Sequence, residues 1–180
     1  MVGIEKVKIN FPINSLHALI QRLIGTVRWS FAIDRKAHVD QFINDFSNAK
    51  NTDSGFSYTS FDRVRNIRDH DILNNNAQII FDLIQEKSKI LNSKNIMRFF
   101  WNYYHRDSKC EIHTDDLNPK SISIVYNIHS NTGGTEFIKD GEVEFIKSVQ
   151  NEAIIFPSNL EHRGVAPKES YRFSLNIIVE

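Results

Sequence analysis

The chain of 180 residues is almost without cysteine: Cys110 stands alone, so no internal disulfide can form and a reducing compartment is expected. Net charge is missing as well. Its 22 Lys and Arg balance 22 Asp and Glu, so no global field draws the protein to nucleic acid or to an anionic membrane. No apolar run approaches the length needed to span a bilayer, and the opening Met-Val-Gly-Ile-Glu-Lys has neither the basic start nor the apolar core of a signal peptide. A cytoplasmic protein with no membrane partner and no nucleic-acid partner is therefore expected. Internal repeats and low-complexity segments are also absent. At 20.9 kDa the chain suits one domain over 1–180 and is short for two.

What is present divides near residue 92. Leu16, Leu19, Ile20, Leu23 and Ile24 recur at the spacing of an amphipathic helix, with Asn14 or Ser15 as its cap and Gly25 as its stop. Val27, Trp29, Phe31 and Ile33 then alternate as in a strand, and Asp34 can open a second helix carrying Val39, Phe42, Ile43 and Phe46. His17 and His38 fall in these helices without a partner at ligand spacing and read as surface or satisfied side chains. The stretch 47–71 turns polar and irregular, as loops that form lids often do. Its Arg63, Arg65 and Arg68 read first as solvated charges on a loop or edge strand, and second as anion ligands. Asn74–Leu91 is helical again. Residues 1–92 thus form a helical support with one or two strands and a long loop.

From 93 to 180 short strands alternate with turn residues, the signature of a jelly roll or small barrel. Met97, Phe99, Trp101 and Tyr103 alternate with Arg98, Phe100, Asn102 and Tyr104; Cys110–Asp115 reads as the next strand. In Ser121–His129 the set Ile122, Ile124, Tyr126 and Ile128 is the apolar face, expected to point inward. Gly133-Gly134 is a turn, and Asp140-Gly141 joins the two strands of a hairpin. Ala153–Phe156, Glu161–Val165 and Tyr171–Val179 complete the series. Cys110 reads as an inert strand residue.

Ile112-His-Thr-Asp-Asp116 carries the chemistry. In a strand, side chains two apart leave the same face, so His113 and Asp115 converge. His162 is the third candidate. Two His and one carboxylate on one side of a metal, with open positions opposite, form the facial triad of non-haem Fe(II) oxygenases. Asp116 leaves the other face and is the minor alternative ligand, while His129, at a strand end with the polar set, is a poor fourth one. Arg172, ten residues past His162 and inside an apolar run, offers a planar fork for a carboxylate, and Ser174 shares its face. The other reading of Arg172 is a surface arginine on an edge strand. Tyr103 and Tyr126 lie on apolar faces, where a buried phenol needs a partner.

On His113-Thr-Asp115, Tyr126 ahead of Gly133-Gly134-Thr-Glu-Phe137, Asn151–Ser158 followed by His162-Arg-Gly, and Arg172-Phe-Ser174, the stretch from Met97 to Val179 resembles the Fe(II)/2-oxoglutarate-dependent oxygenases, prolyl-4-hydroxylase-like branch. The resemblance implies a mainly β, α+β protein: a double-stranded β-helix (jelly roll, cupin-like) core backed by N-terminal helices. It implies iron on His113, Asp115 and His162. It also implies 2-oxoglutarate on Arg172, Ser174, Tyr103 and Tyr126, although core packing explains either tyrosine almost as well. Tyr104, His105 and Arg106 could shape the mouth of the site or simply end a strand. The implied reaction consumes 2-oxoglutarate and O2, gives succinate and CO2, and hydroxylates a peptidyl or small-molecule substrate, such as a peptidyl proline or a free amino acid. Two other classes compete: a cupin-like metal enzyme without 2-oxoglutarate, which needs no Arg172, and a non-catalytic binding module.

Overall fold

The computed structural model describes residues 3–27, 29–31, 56–92 and 94–180. Its elements in order are β1 (Glu5–Lys8), α1 (Ile13–Thr26), β2 (Ser30–Phe31), β3 (Phe56–Asp62), β4 (Ile67–Arg68), α2 (Asp71–Gln85), β5 (Ile96–His105), β6 (Ile122–Asn127), β7 (Gly134–Lys139), β8 (Glu142–Lys147), β9 (Glu152–Pro157), β10 (His162–Val165) and β11 (Tyr171–Val179). The larger sheet runs β1-β9-β6-β11-β5-β3-β2 with β4 on β3, and the smaller runs β10-β7-β8. All pairings are antiparallel. Two facing antiparallel sheets with helices behind the larger one are the double-stranded β-helix arrangement. No helix among the described residues is long and apolar enough to cross a membrane.

Two apolar clusters hold the layers. Leu16, Leu19 and Leu23 of α1 and Leu73, Ala77, Ile80 and Ile84 of α2 pack on Phe99, Trp101, Ile124, Tyr126, Leu175 and Ile177, which cover one face of the larger sheet. A smaller cluster of Val125, Phe137, Ile146, Ile154 and Phe156 lies between the two sheets. The strands β6 and β9 are therefore covered on both faces, and each shows a nearly unbroken run of buried residues. Leu175 is fully buried and its strand lies between β5 and β6. Leu175→Ala is expected to destabilise the fold by about 2–5 kcal/mol, because the removed methyls leave a cavity in a layer fixed on both sides. A shift in the urea midpoint at unchanged slope checks this.

Several local expectations change. α1 starts at Ile13, behind the extended backbone of Pro12, without a side-chain cap, so Asn14 and Ser15 lie inside it. It also passes through Gly25, with the Thr26 hydroxyl donating to the Arg22 carbonyl at 2.8 Å. α2 begins at Asp71 behind His70, whose φ is 61°, and ends at Gln85 rather than Leu91. The Gln85 amide donates to the Leu91 carbonyl at 2.8 Å, which closes the chain beyond the helix without extending it.

The stretch 47–71 is not a loop where it is described, because Phe56–Asp62 is a strand paired with β5. Its small polar residues disguise it. Ser60 accepts the Trp101 indole N–H at 3.0 Å, and buried Asp62 meets the Arg98 guanidinium at 3.3 Å, so their partners lie on the neighbouring strand. Arg63 and Arg65 sit exposed in the turn between β3 and β4, and Arg68 is an exposed residue of β4 paired with Phe61. The helix expected after Asp34, with His38, and the start of the loop lie outside the described residues.

Candidate metal and anion site

Residues 110–115 form no strand; a single bridge, His113↔His162, ties this segment to β10. The two residues exchange N–H to carbonyl hydrogen bonds at 2.9 Å each way, which brings the imidazole centroids to 4.6 Å. Asp115 is fixed separately: its N–H donates to the Ser158 carbonyl at 2.9 Å, just past β9. The convergence expected from strand parity is therefore achieved by one bridge and one anchored turn.

The protonation of the imidazoles follows from their partners. His113 Nδ1 lies 2.9 Å from the Glu111 carbonyl, and His162 Nδ1 lies 2.9 Å from the Leu160 carbonyl. A carbonyl only accepts, so each Nδ1 carries a proton, and each ring in its neutral form presents an Nε2 lone pair. These Nε2 atoms stand 3.8 Å and 3.6 Å from Asp115 Oδ1 and Oδ2, and donor atoms of all three residues lie within 4.8 Å of one another. Such separations are too long for hydrogen bonds. Lone pairs facing a carboxylate repel it unless a cation lies between, and histidines anchored through the far nitrogen are the usual metal ligands. The donor set therefore fits a divalent first-row metal. Burial pulls the His113 imidazolium downward, but the contact with Cys110 and the Asp115 charge outweigh it, leaving its pKa above the ordinary value.

The neighbouring candidates fall elsewhere. Asp116 uses its carboxylate on the following turn, accepting from the Asn118 N–H at 3.0 Å and the Ser121 hydroxyl at 2.8 Å. His129 Nε2 lies 2.9 Å from the Tyr171 carbonyl, and its imidazolium is disfavoured first by burial. His17 is exposed. Cys110 lies in no strand; its Sγ is 3.9 Å from His113 Nδ1.

Arg172 is 1% exposed. Its Nη1 donates to the Gly134 carbonyl at 2.6 Å and its Nη2 to Thr135 Oγ1 at 3.3 Å, while its guanidinium carbon lies 5.5 Å from the centre of the Tyr104 ring. Its Nε has no hydrogen-bond partner, and among the described residues no carboxylate pairs with it. Burial pushes its pKa below the usual range for a guanidinium. A buried cation without a counter-charge is costly, so this position fits the carboxylate of a bound anion. Gly134 is needed where it accepts, since a Cβ there would overlap the Ile146 carbonyl.

A narrow cavity of about 20 Å³ joins Arg172 to His113 and His162, and Ser174, Asn102, Tyr104, Thr135, Gly164 and Asn176 also line it. Arg172 and Ser174 thus line the same cavity as His113 and His162. Tyr103 and Tyr126 do not. Arg172 pairs with Tyr104, and Ser174 pairs with Asn102 and Asn127; Tyr103 and Tyr126 leave the opposite face, toward the helices. Tyr103 packs among Trp29, Phe56 and Phe173, with centroids 5.0–5.9 Å away. Tyr126 is fully buried, donates to Asn151 Oδ1 at 2.5 Å, and has its pKa raised by that burial. The apolar faces of these strands do point into a core, but it is the helix-backed one, and the polar set faces the site.

Asn102, Tyr104, Thr135, Gly164 and Asn176 were not singled out as co-substrate residues by sequence. One signal could have found two of them: in register with Arg172 and Ser174, the facing members of β5 are Tyr104 and Asn102. Gly164 has a steric reason of its own, because a Cβ there would meet the Tyr104 hydroxyl at 2.8 Å and Arg172 Nη1 at 3.4 Å.

No protein-family model and no curated protein matches the chain. Solved structures do. A prolyl-4-hydroxylase from Pseudomonas putida superposes with a TM-score of 0.62 at 14% identity, over 98% of this chain and 91% of its own. HygX from Streptomyces hygroscopicus, solved with nickel and 2-oxoglutarate bound, gives 0.66 at 8% identity, over 98% and 82%. A Trichoplax adhaerens prolyl hydroxylase in complex with a hypoxia-inducible-factor peptide gives 0.65 at 13% identity, over 98% and 83%. At these identities the likeness establishes a shared fold, the jelly-roll core of 2-oxoglutarate oxygenase structures.

Proposed function

We propose that this protein is an Fe(II)- and 2-oxoglutarate-dependent oxygenase that hydroxylates a C–H bond of a peptidyl or small-molecule substrate. The observation that carries this reading is Arg172: a buried guanidinium with no carboxylate beside it among the described residues, in the same cavity as His113 and His162, two of the three converging metal donors. A cupin-like metal enzyme without a 2-oxo acid, or a binding module, gives no reason for that cation. The fold shared with 2-oxoglutarate-dependent enzymes supports the same choice.

His113, Asp115 and His162 would hold the iron, and Arg172 with Thr135 would hold the distal carboxylate of 2-oxoglutarate. When bound, iron and 2-oxoglutarate would together activate O2: oxidative decarboxylation of the 2-oxo acid to succinate and CO2 takes up one oxygen atom and leaves the other to hydroxylate an unactivated C–H bond. The chain's own contribution is orientation and exclusion of water. Asp115 would balance the charge of the cation, while the Glu111 and Leu160 carbonyls hold both imidazoles in the tautomer that leaves Nε2 free to ligate. Phe156 and Phe137 pack on the His162 ring at 4.7 Å and 6.0 Å and keep that side dry. A cavity of about 20 Å³ holds little more than one water. Side chains lining the cavity must therefore shift when a dicarboxylate enters, a change of the kind common on binding.

Anaerobic addition of Fe(II) and 2-oxoglutarate to the protein tests the reading. A weak visible charge-transfer band is expected, and then succinate release on admitting O2; neither band nor succinate would overturn it. Gly164→Ala is expected to raise KM for 2-oxoglutarate on the order of tenfold, from about 1–3 kcal/mol of overpacking against Tyr104 and Arg172. Tyr103→Phe, on the helix side of β5, should leave that KM unchanged, and initial rates of succinate formation compare the two variants.

A further inference from the structure

The segment ahead of His113 leaves β10 after a single bridge, and residues 108–112 and 163–166 then line opposite walls of an open groove of about 560 Å³. A tight turn draws the segment away: Ser108 N–H donates to the His105 carbonyl at 2.9 Å, and the His105 N–H donates to Ser108 Oγ at 3.0 Å. The segment is thereby tied back to the end of β5.

The hydrogen-bonding phase of β10 fixes what faces this groove. Ile138 N–H donates to the Glu161 carbonyl at 2.9 Å, and the register continues with Arg163↔Glu136 and Val165↔Gly134, so the odd-numbered residues bond to β7. His162 turns its N–H and carbonyl the other way, to His113. With a period of two, the main chains of Gly164 and Ala166 point the same way as His162, into the groove. The walls carry Lys109 and Arg163 against Glu111 and Glu136, and the Arg163 Nε donates to Glu136 at 2.6 Å. Charge on these walls is balanced, so it selects no sign of ligand.

We propose that this groove binds an extended peptide segment, which adds as a strand to β10 through the main chains of Gly164 and Ala166 and aims alternate side chains at the metal site. A strand edge flanked by a groove is a recurrent way of capturing peptides, with main-chain bonds giving affinity and pockets for alternate side chains giving choice. Gly164 makes the connection because it lines both the groove and the narrow cavity. A Cβ on it would point at Tyr104 and Arg172, and residues paired across strands send their side chains to the same face. The residue paired with Gly164 is thus directed toward the cavity of His113, His162 and Arg172. The volume suits several residues rather than one amino acid, since pockets of this size take drug-sized ligands. The proposal rests on the oxygenase reading only for what happens to the delivered side chain.

Randomised dodecapeptides are panned on the full chain, and the best saturable binder is resynthesised with each amide N-methylated in turn. Loss of affinity of at least tenfold at every second amide over a short stretch is expected, with the amides between unaffected, as strand addition requires. Cys110, the only cysteine, lines the groove, so bound peptide should slow its alkylation by iodoacetamide at least fivefold. Ala166→Pro removes one groove-facing N–H and should weaken the same peptide tenfold. Absence of a saturable binder, binding indifferent to N-methylation, or an unprotected Cys110 overturns the groove assignment, whether or not the proline variant folds. The Fe(II)–2-oxoglutarate band is recorded on the same samples. Band and succinate without peptide binding overturn the groove alone; alternating N-methyl sensitivity without a band overturns the oxygenase reading and upholds the groove.

Discussion

Arg172→Met is expected to cut affinity for 2-oxoglutarate by about 10²-fold or more, because removing one member of a buried hydrogen-bonded charge pair costs about 2–5 kcal/mol. The same substitution should leave the free protein as stable as before, or more so. In the absence of an anion the guanidinium is fully buried with its Nε lacking a partner, and its stacking on Tyr104 and two hydrogen bonds offset only part of the desolvation. Methionine fills a similar length without a charge to desolvate. Titration of 2-oxoglutarate into anaerobic iron-loaded protein gives the first quantity and urea denaturation of the apo-protein gives the second. Unaltered affinity would remove Arg172 from co-substrate binding; a strongly destabilised apo-protein would make it a structural residue instead.

Asp115→Asn should weaken metal binding more than about 10²-fold, the upper end of what loss of a mere supporting partner costs. Succinate formation should fall with it. The apo-protein should gain stability, by about 0.5–1.5 kcal/mol for one new hydrogen bond. The reason is the arrangement of lone pairs: two Nε2 atoms now face a carboxylate at 3.8 Å and 3.6 Å, and an amide nitrogen in its place could donate to one of them. Divalent metal at 100 times Kd should stabilise the wild type by about 2.7 kcal/mol and the variant hardly at all. Thermal unfolding with and without Mn(II) reads both effects, and a metal-independent Tm in the wild type would count against the site.

The convergence of His113, Asp115 and His162 is legible because its signal is local on one side and chemically specific on the other: His113 and Asp115 two apart, then His162. Strand parity accounts for the first pair only in part, since residues 110–115 make one bridge and no strand. Arg172 and Ser174 were legible from chemistry, a cation and a hydroxyl alternating within an apolar run. Alternation alone does not place Tyr103 and Tyr126, because it reveals two faces without saying which is which. On β6 and β11 both faces are covered, one by the helix-backed core and one by the smaller sheet, which Val125 and Arg172 meet, so an apolar set does not mark the barrel interior. Cross-strand register settles it by placing Tyr104 opposite Arg172. The strand Phe56–Asp62 was hidden for a related reason: Ser57, Ser60 and Asp62 are buried polar residues, and the partners of Ser60 and Asp62, Trp101 and Arg98, are distant in sequence.

The last strand carries a division of labour with a consequence for how this chain can diverge. Along β11, Phe173, Leu175 and Ile177 belong to the helix-backed core, whereas Arg172, Ser174 and Asn176 line the cavity. Neighbouring codons therefore answer to different selective pressures. Changes at the even positions alter what the cavity accepts while the helices stay seated, and changes at the odd positions erode folding without touching specificity. A lineage can thus explore new cavity linings by substituting every second residue of a single strand.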